Sequence, residues 1–107
     1  MTEFATQTTT DGAVHLMLDG PMTIYNAGDI KAQLVAGLSV GPLMQLDLSH
    51  VTEIDTAGFQ LLVMAKREAL RRNCEMRIVA HSPAVQDVIE FFNMAAFFGD
   101  PLVIPAR

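Results

Sequence analysis

Residues 50–59 read His50, Val51, Thr52, Glu53, Ile54, Asp55, Thr56, Ala57, Gly58, Phe59, and the segments on either side give this stretch its meaning. Before it, residues 43–48 (LMQLDL) predict a short strand, bounded by Gly41 and Pro42 on one side and by Ser49 and His50 on the other. After it, residues 57–73 are mostly good helix formers. Lys66, Arg67, Arg71 and Arg72 gather in the C-terminal half, where cations suit the negative end of the helix dipole. Thr56 therefore falls at or beside a helix N-terminus, where backbone N–H groups lack intrahelical partners. That position suits a hydroxyl, and it suits a phosphoryl group carried on the hydroxyl, because donors and dipole both favour negative charge there. Gly58 leaves the turn open to the close approach of another backbone or side chain.

The wider pattern LDLSHVTEIDTAGFQLLVMAKREA resembles the signature of STAS domains, the family of the bacterial anti-sigma factor antagonists. In that family a strand ending in L-D-(L/F)-S is followed by a D-(S/T)-x-G turn that opens the second helix. Asp55, Thr56 and Gly58 fall on the turn positions, with Ala57 between them, and the resemblance runs over about residues 14–103. It implies an α/β fold: a mixed sheet of four or five strands with three to four helices packed chiefly on one face. It also implies a regulatory protein-binding module. In the antagonists the residue at Thr56 is usually a serine, phosphorylated by a partner kinase that is itself the anti-sigma factor. The implied partner is thus a serine/threonine kinase with a histidine-kinase-like ATPase fold, released when the hydroxyl is phosphorylated. The segment TIYNAGDIKAQL further resembles the first-helix region of STAS proteins from chemotaxis or two-component clusters. A second branch, the STAS subunit of ABC-type phospholipid-transport complexes, has a D-T-G-G turn here and binds its ATPase without a phospho-switch. The threonine points toward that branch and Ala57 points away from it.

Composition narrows the function classes. At 107 residues, with half of them apolar, the chain suits one globular domain covering residues 1–107. A net charge of −5 argues against nucleic-acid binding, which needs a basic footprint. A single cysteine, Cys74, fits a reducing cytoplasm. The N-terminal residues have neither the basic nor the apolar region of a signal peptide, and no apolar run approaches the roughly 20 residues that span a bilayer. A cytoplasmic protein without membrane insertion is expected, as a monomer or weak homodimer. His15, His50 and His81 show no ligand spacing, and no nucleophile, base and orienter come together, so no metal, cofactor or enzymatic activity is expected.

Elsewhere the pattern gives the remaining elements. Residues 4–10, the turn at Asp11 and Gly12, and the alternation of Val14, Leu16 and Leu18 predict an N-terminal hairpin. Gly20 and Pro21 read as the end of its second strand. Asn26 reads as the N-cap of a helix carrying Ala27, Ile30, Leu34 and Leu38 on one face. Residues 76–79 predict a strand covered in part on both sides. Ser82 and Pro83 open a third helix with an apolar stripe of Ala84, Val85, Val88, Ile89 and Phe92. Residues 102–104 predict a short edge strand. The aromatic run around Phe97 and Phe98 reads as closing a small core, with a dimer contact or a hydrophobic pocket as the alternative.

Several readings of the site stay open in the sequence. Thr56 is an ordinary N-cap residue or a displayed hydroxyl, and Asp55 shapes the turn or is a solvated cap. Residues 57–65 hold only one polar side chain, Gln60, which is more apolar than an amphipathic helix on a sheet requires. Part of that helix is therefore either exposed beside Thr56 as a docking face or packed against the third helix. Phe59 and Val63 are taken as the partner-binding residues. Cys74, at the end of a basic helix, is expected to be exposed with a lowered pKa, and the four basic residues of that helix to form a solvated face.

Overall fold

In a computed structural model, which describes residues 5–10 and 12–92, the chain runs β1 (Ala5–Thr10), β2 (Ala13–Met22), a single 3-10 turn (Ile24–Asn26), α1 (Ala27–Leu38), β3 (Leu43–Ile54), α2 (Thr56–Arg71), β4 (Glu75–His81) and α3 (Pro83–Phe92). The four strands form one sheet in the order β1-β2-β3-β4, with β1 antiparallel to β2 and the other two pairings parallel. This is the mixed α/β sheet expected from the sequence. The strand predicted over residues 102–104 and the run around Phe97 and Phe98 lie outside the described residues.

Alternation along the strands decides where the helices lie. Val14, Leu16 and Leu18 of β2, Met44, Leu46 and Leu48 of β3, and Met76 and Ile78 of β4 are buried, whereas His15, Met17, Gln45 and Asp47 between them are only half-buried. One sheet face therefore carries the core, and α1, α2 and α3 bring Ile30, Leu34, Leu62, Val85 and Ile89 to it. Each of these side chains removed from water contributes about 1.5–3 kcal/mol. In β4, Arg77 and Val79 are exposed, so this strand is half-covered rather than covered on both sides as expected.

Element boundaries moved most around the central turn. β3 does not stop at Leu48: it continues through Ser49 and His50 to Ile54, because β2 also continues and supplies a parallel partner. Gly20 and Pro21 do not end β2. Gly20 takes a φ of +90°, open to glycine, and register shifts at Met17/Asp19 and Gly20/Pro21 absorb the irregularity while the ladder carries on to Met22 opposite Ile54. Asn26 is not a side-chain cap of α1. Its side-chain Oδ1 accepts from the Thr23 backbone N–H at 2.8 Å, and Thr23 caps the 3-10 turn in a capping box. Ser82 does cap α3, its hydroxyl accepting from Val85 N–H at 3.2 Å.

Leu62 is fully buried between sheet and helices. Leu62→Ala is expected to lower the unfolding free energy by about 2–5 kcal/mol in chemical denaturation, as buried leucine truncations do.

Candidate functional site

The parallel pair β2–β3 ends at Met22 and Ile54, and the chain leaves both strands at one corner of the sheet. Asp55, in extended conformation, is the N-cap of α2. One of its carboxylate oxygens accepts from Gly58 N–H at 2.9 Å and the other from Ile24 N–H at 3.0 Å, joining the start of α2 to the 3-10 turn. Its own N–H donates to the Met22 carbonyl at 3.2 Å. The bonds from Gly58 and then Ile24, with a smaller contribution from Ala57, hold the Asp55 carboxyl below the usual carboxylate range. Of the two readings of Asp55, shaping the turn is the one the geometry supports.

Gly58 completes the corner. A Cβ placed there would lie 2.1 Å from the Met22 carbonyl oxygen and 2.9 Å from a side-chain carbon of Ile54. Only glycine lets α2 come down onto the end of β2 this closely.

Thr56 is the first residue of α2 and is exposed. It does not cap the helix, since Asp55 does, and among the described residues no hydrogen bond engages its hydroxyl. Because Asp55 already occupies Gly58 N–H, a first-turn donor that looked free in the sequence is taken.

The apolar side chains beside this hydroxyl are not the ones chosen from sequence. Phe59 is 5% exposed and Val63 9%, both within the core, so neither presents a docking face. The apolar excess of α2 is absorbed in the core, where the helix packs against α1 as well as the sheet. The exposed apolar residues at this corner are instead Ile24 and Tyr25, at 66% and 96% exposure, on the 3-10 turn tied to Asp55. The sequence carried a signal for that turn in Thr23 and Asn26, which sit at capping-box spacing around the chain's single tyrosine.

Two other residues depart from expectation. Cys74 is buried, and burial pushes its thiol pKa up rather than down. The basic end of α2 is not simply solvated. Glu68 lies between Arg71 and Arg72, whose hydrogen bonds bring its pKa down to about 2, and Arg72 also donates to Ser39 Oγ at the end of α1. Among the described residues no cluster of His, Cys, Asp and Glu could hold a metal ion, and no helix is long and apolar enough to cross a membrane.

Residues 5–104 match the family described as "Mlab, STAS domain", and the chain belongs to the STAS domain family. Comparison with curated protein sequences returns no match. Among solved structures, the fold is similar to that of an anti-sigma factor antagonist from Mycobacterium paratuberculosis, at 18% identity and a TM-score of 0.79 over 95% of this chain and 85% of that one. It is similar also to the Bacillus cell fate determinant SpoIIAA in its phosphorylated form, at 17% identity and a TM-score of 0.68 over 96% and 91% of the two chains. A sulfate transporter family protein from Wolinella succinogenes shares the fold too, at 17% identity and a TM-score of 0.71 over 86% and 75%.

Two outcomes follow from the corner geometry. Gly58→Ala is expected to cost at least about 3 kcal/mol in denaturation, since the atom it meets is backbone. Asp55, with its depressed pKa, stabilises the fold above the ordinary carboxylate range, and that contribution is lost as pH falls through its lower folded value. An NMR titration should therefore show the Gly58 and Ile24 amide resonances moving together, with a midpoint below about 3.9.

Proposed function

We propose that this STAS domain is a partner-switching module of the anti-sigma factor antagonist kind, with Thr56 as its phosphoacceptor and the corner formed by Thr56, Ile24 and Tyr25 as its docking surface. The observation that carries this reading is the exposed, unengaged Thr56 hydroxyl on a turn whose shape is set by Asp55 and Gly58. Phosphorylation adds nearly two negative charges without removing any bond that holds the turn. Its effect therefore falls on the partner: a surface that buries Tyr25 and Ile24 must also desolvate the phosphate or be driven off. The partner is a serine/threonine kinase with a histidine-kinase-like ATPase fold, in a sigma-factor, chemotaxis or two-component setting, and the domain works in the cytoplasm by binding rather than by catalysis.

A second reading is supported by the name of the matched family, Mlab, and by the threonine at the turn. The domain is then a constitutive subunit of an ABC-type phospholipid-transport complex, seated on the ATPase through the same corner and never phosphorylated.

Pull-down from native lysate with the wild-type chain, Thr56→Ala and Thr56→Glu, read by mass spectrometry, separates the two. Retention of a kinase-like ATPase by wild type and Thr56→Ala, with at least a roughly tenfold loss for Thr56→Glu, supports the switch, a tenfold loss being about 1.4 kcal/mol. An ABC ATPase as the main partner, with Thr56 unmodified, replaces it with the transport reading.

A further inference from the structure

We infer that the outer edge of β1 is a self-association surface, on which a second copy of this chain pairs antiparallel to continue the sheet. The residue pairs of the β1–β2 hairpin fix which backbone groups are available. Thr10 pairs with Ala13 across the two-residue reversal, so this is the closing hydrogen-bonded pair, and Thr8 with His15 and Thr6 with Met17 follow at the two-residue period. The N–H and C=O groups of Ala5, Gln7 and Thr9 therefore point away from β2, and among the described residues no strand pairs with them.

An edge of this kind is normally blunted by charge, proline or a bulge. The other edge of the described sheet, β4, has such protection: Glu75 and Arg77 are paired and exposed on it, and a register shift interrupts its ladder with β3. β1 has none. Its six residues, ATQTTT, contain no charge and no proline, its register with β2 is unbroken, and all but Ala5 are exposed. Threonine also favours strands.

A second copy is the occupant that this edge fits best. Two β1 strands meeting about a twofold axis at Gln7 place Gln7 opposite Gln7, and Ala5 opposite Thr9 twice. All three outward residues of each chain are then hydrogen-bonded at once, with no like charges within the paired strands. The contact is short, so the dimer is weak and reversible. Each copy carries a net charge of −5, so added salt strengthens the association by screening.

Sedimentation of the 107-residue chain between about 10 and about 500 μM tests this, a range that brackets a weak dimer. The expected result is an apparent mass that rises from one chain toward two. Gln7→Pro removes an outward N–H while leaving the β1–β2 bonds in place, and should weaken association at least about tenfold with the thermal midpoint little changed. Gln7→Lys sets two like charges face to face at the twofold axis and should do the same; if the proline variant fails to fold, the lysine variant decides. Hydrogen exchange should show the Gln7 and Thr9 amides slowing as concentration rises, while those of Thr6, Thr8 and Thr10 do not change. A single-chain mass at every concentration overturns the inference. So does association that ignores Gln7→Lys, or protection of Gln7 and Thr9 that is independent of concentration, which would mean that the chain covers this edge itself.

Discussion

The carboxylate of Asp55 lies between the amides of Gly58 and Ile24, and the shape of the candidate corner depends on that bridge. Gly58 belongs to the first turn of α2, whereas Ile24 opens the 3-10 turn that leads into α1. Asp55 and Ile24 are 31 residues apart in the chain, and the two segments come together where the β2 and β3 ladder ends. A single acidic side chain thus satisfies donors from two helical starts, each of which would otherwise be left to solvent. The Met22 carbonyl, which accepts from the Asp55 amide, is the same atom that forbids a side chain at Gly58. Cap, close approach and strand end are parts of one constraint.

That division of labour separates structure from display. Asp55 and Gly58 hold the turn, and Thr56 takes no part in holding it. A hydroxyl relieved of structural duty can be modified, mutated or bound with little cost to the fold. The neighbouring Ile24 and Tyr25 are similarly free of the core, which is supplied by the sheet face and by Phe59, Leu62 and Val63 beneath. On the proposed reading, aromatic and branched side chains exposed beside a modifiable hydroxyl would supply both parts of a regulated interface, an apolar anchor and a charge that can be switched on.

Much of this was legible in the sequence. The strand–turn–helix order around residues 43–73, the hairpin, the Ser82 cap and the positions of Asp55, Thr56 and Gly58 follow from local chemistry that tertiary packing did not override. What escaped depended on partners distant in the chain. Ser49 and His50 look like a strand end, but β2 continues alongside them, and Gly20 and Pro21 look like a break until register shifts let the ladder pass. Phe59 and Val63 look like surplus apolar surface until the fold buries them in the core. Cys74 looks exposed from its place at a helix end, but the fold buries it. Ile24 and Tyr25 went unread because a 3-10 turn leaves little periodicity, although Thr23 and Asn26 marked it.

The central claim is that Asp55 shapes the corner and Thr56 is displayed on it. Thermal unfolding of Thr56→Ala and Asp55→Ala beside the wild type, at neutral pH, tests this most directly. The account predicts that Thr56→Ala unfolds within about 0.5 kcal/mol of wild type, as exposed substitutions do, and that Asp55→Ala unfolds at a clearly lower temperature. The reverse order, with Thr56→Ala the more damaging of the two, would mean that the hydroxyl is a structural cap and would contradict the account.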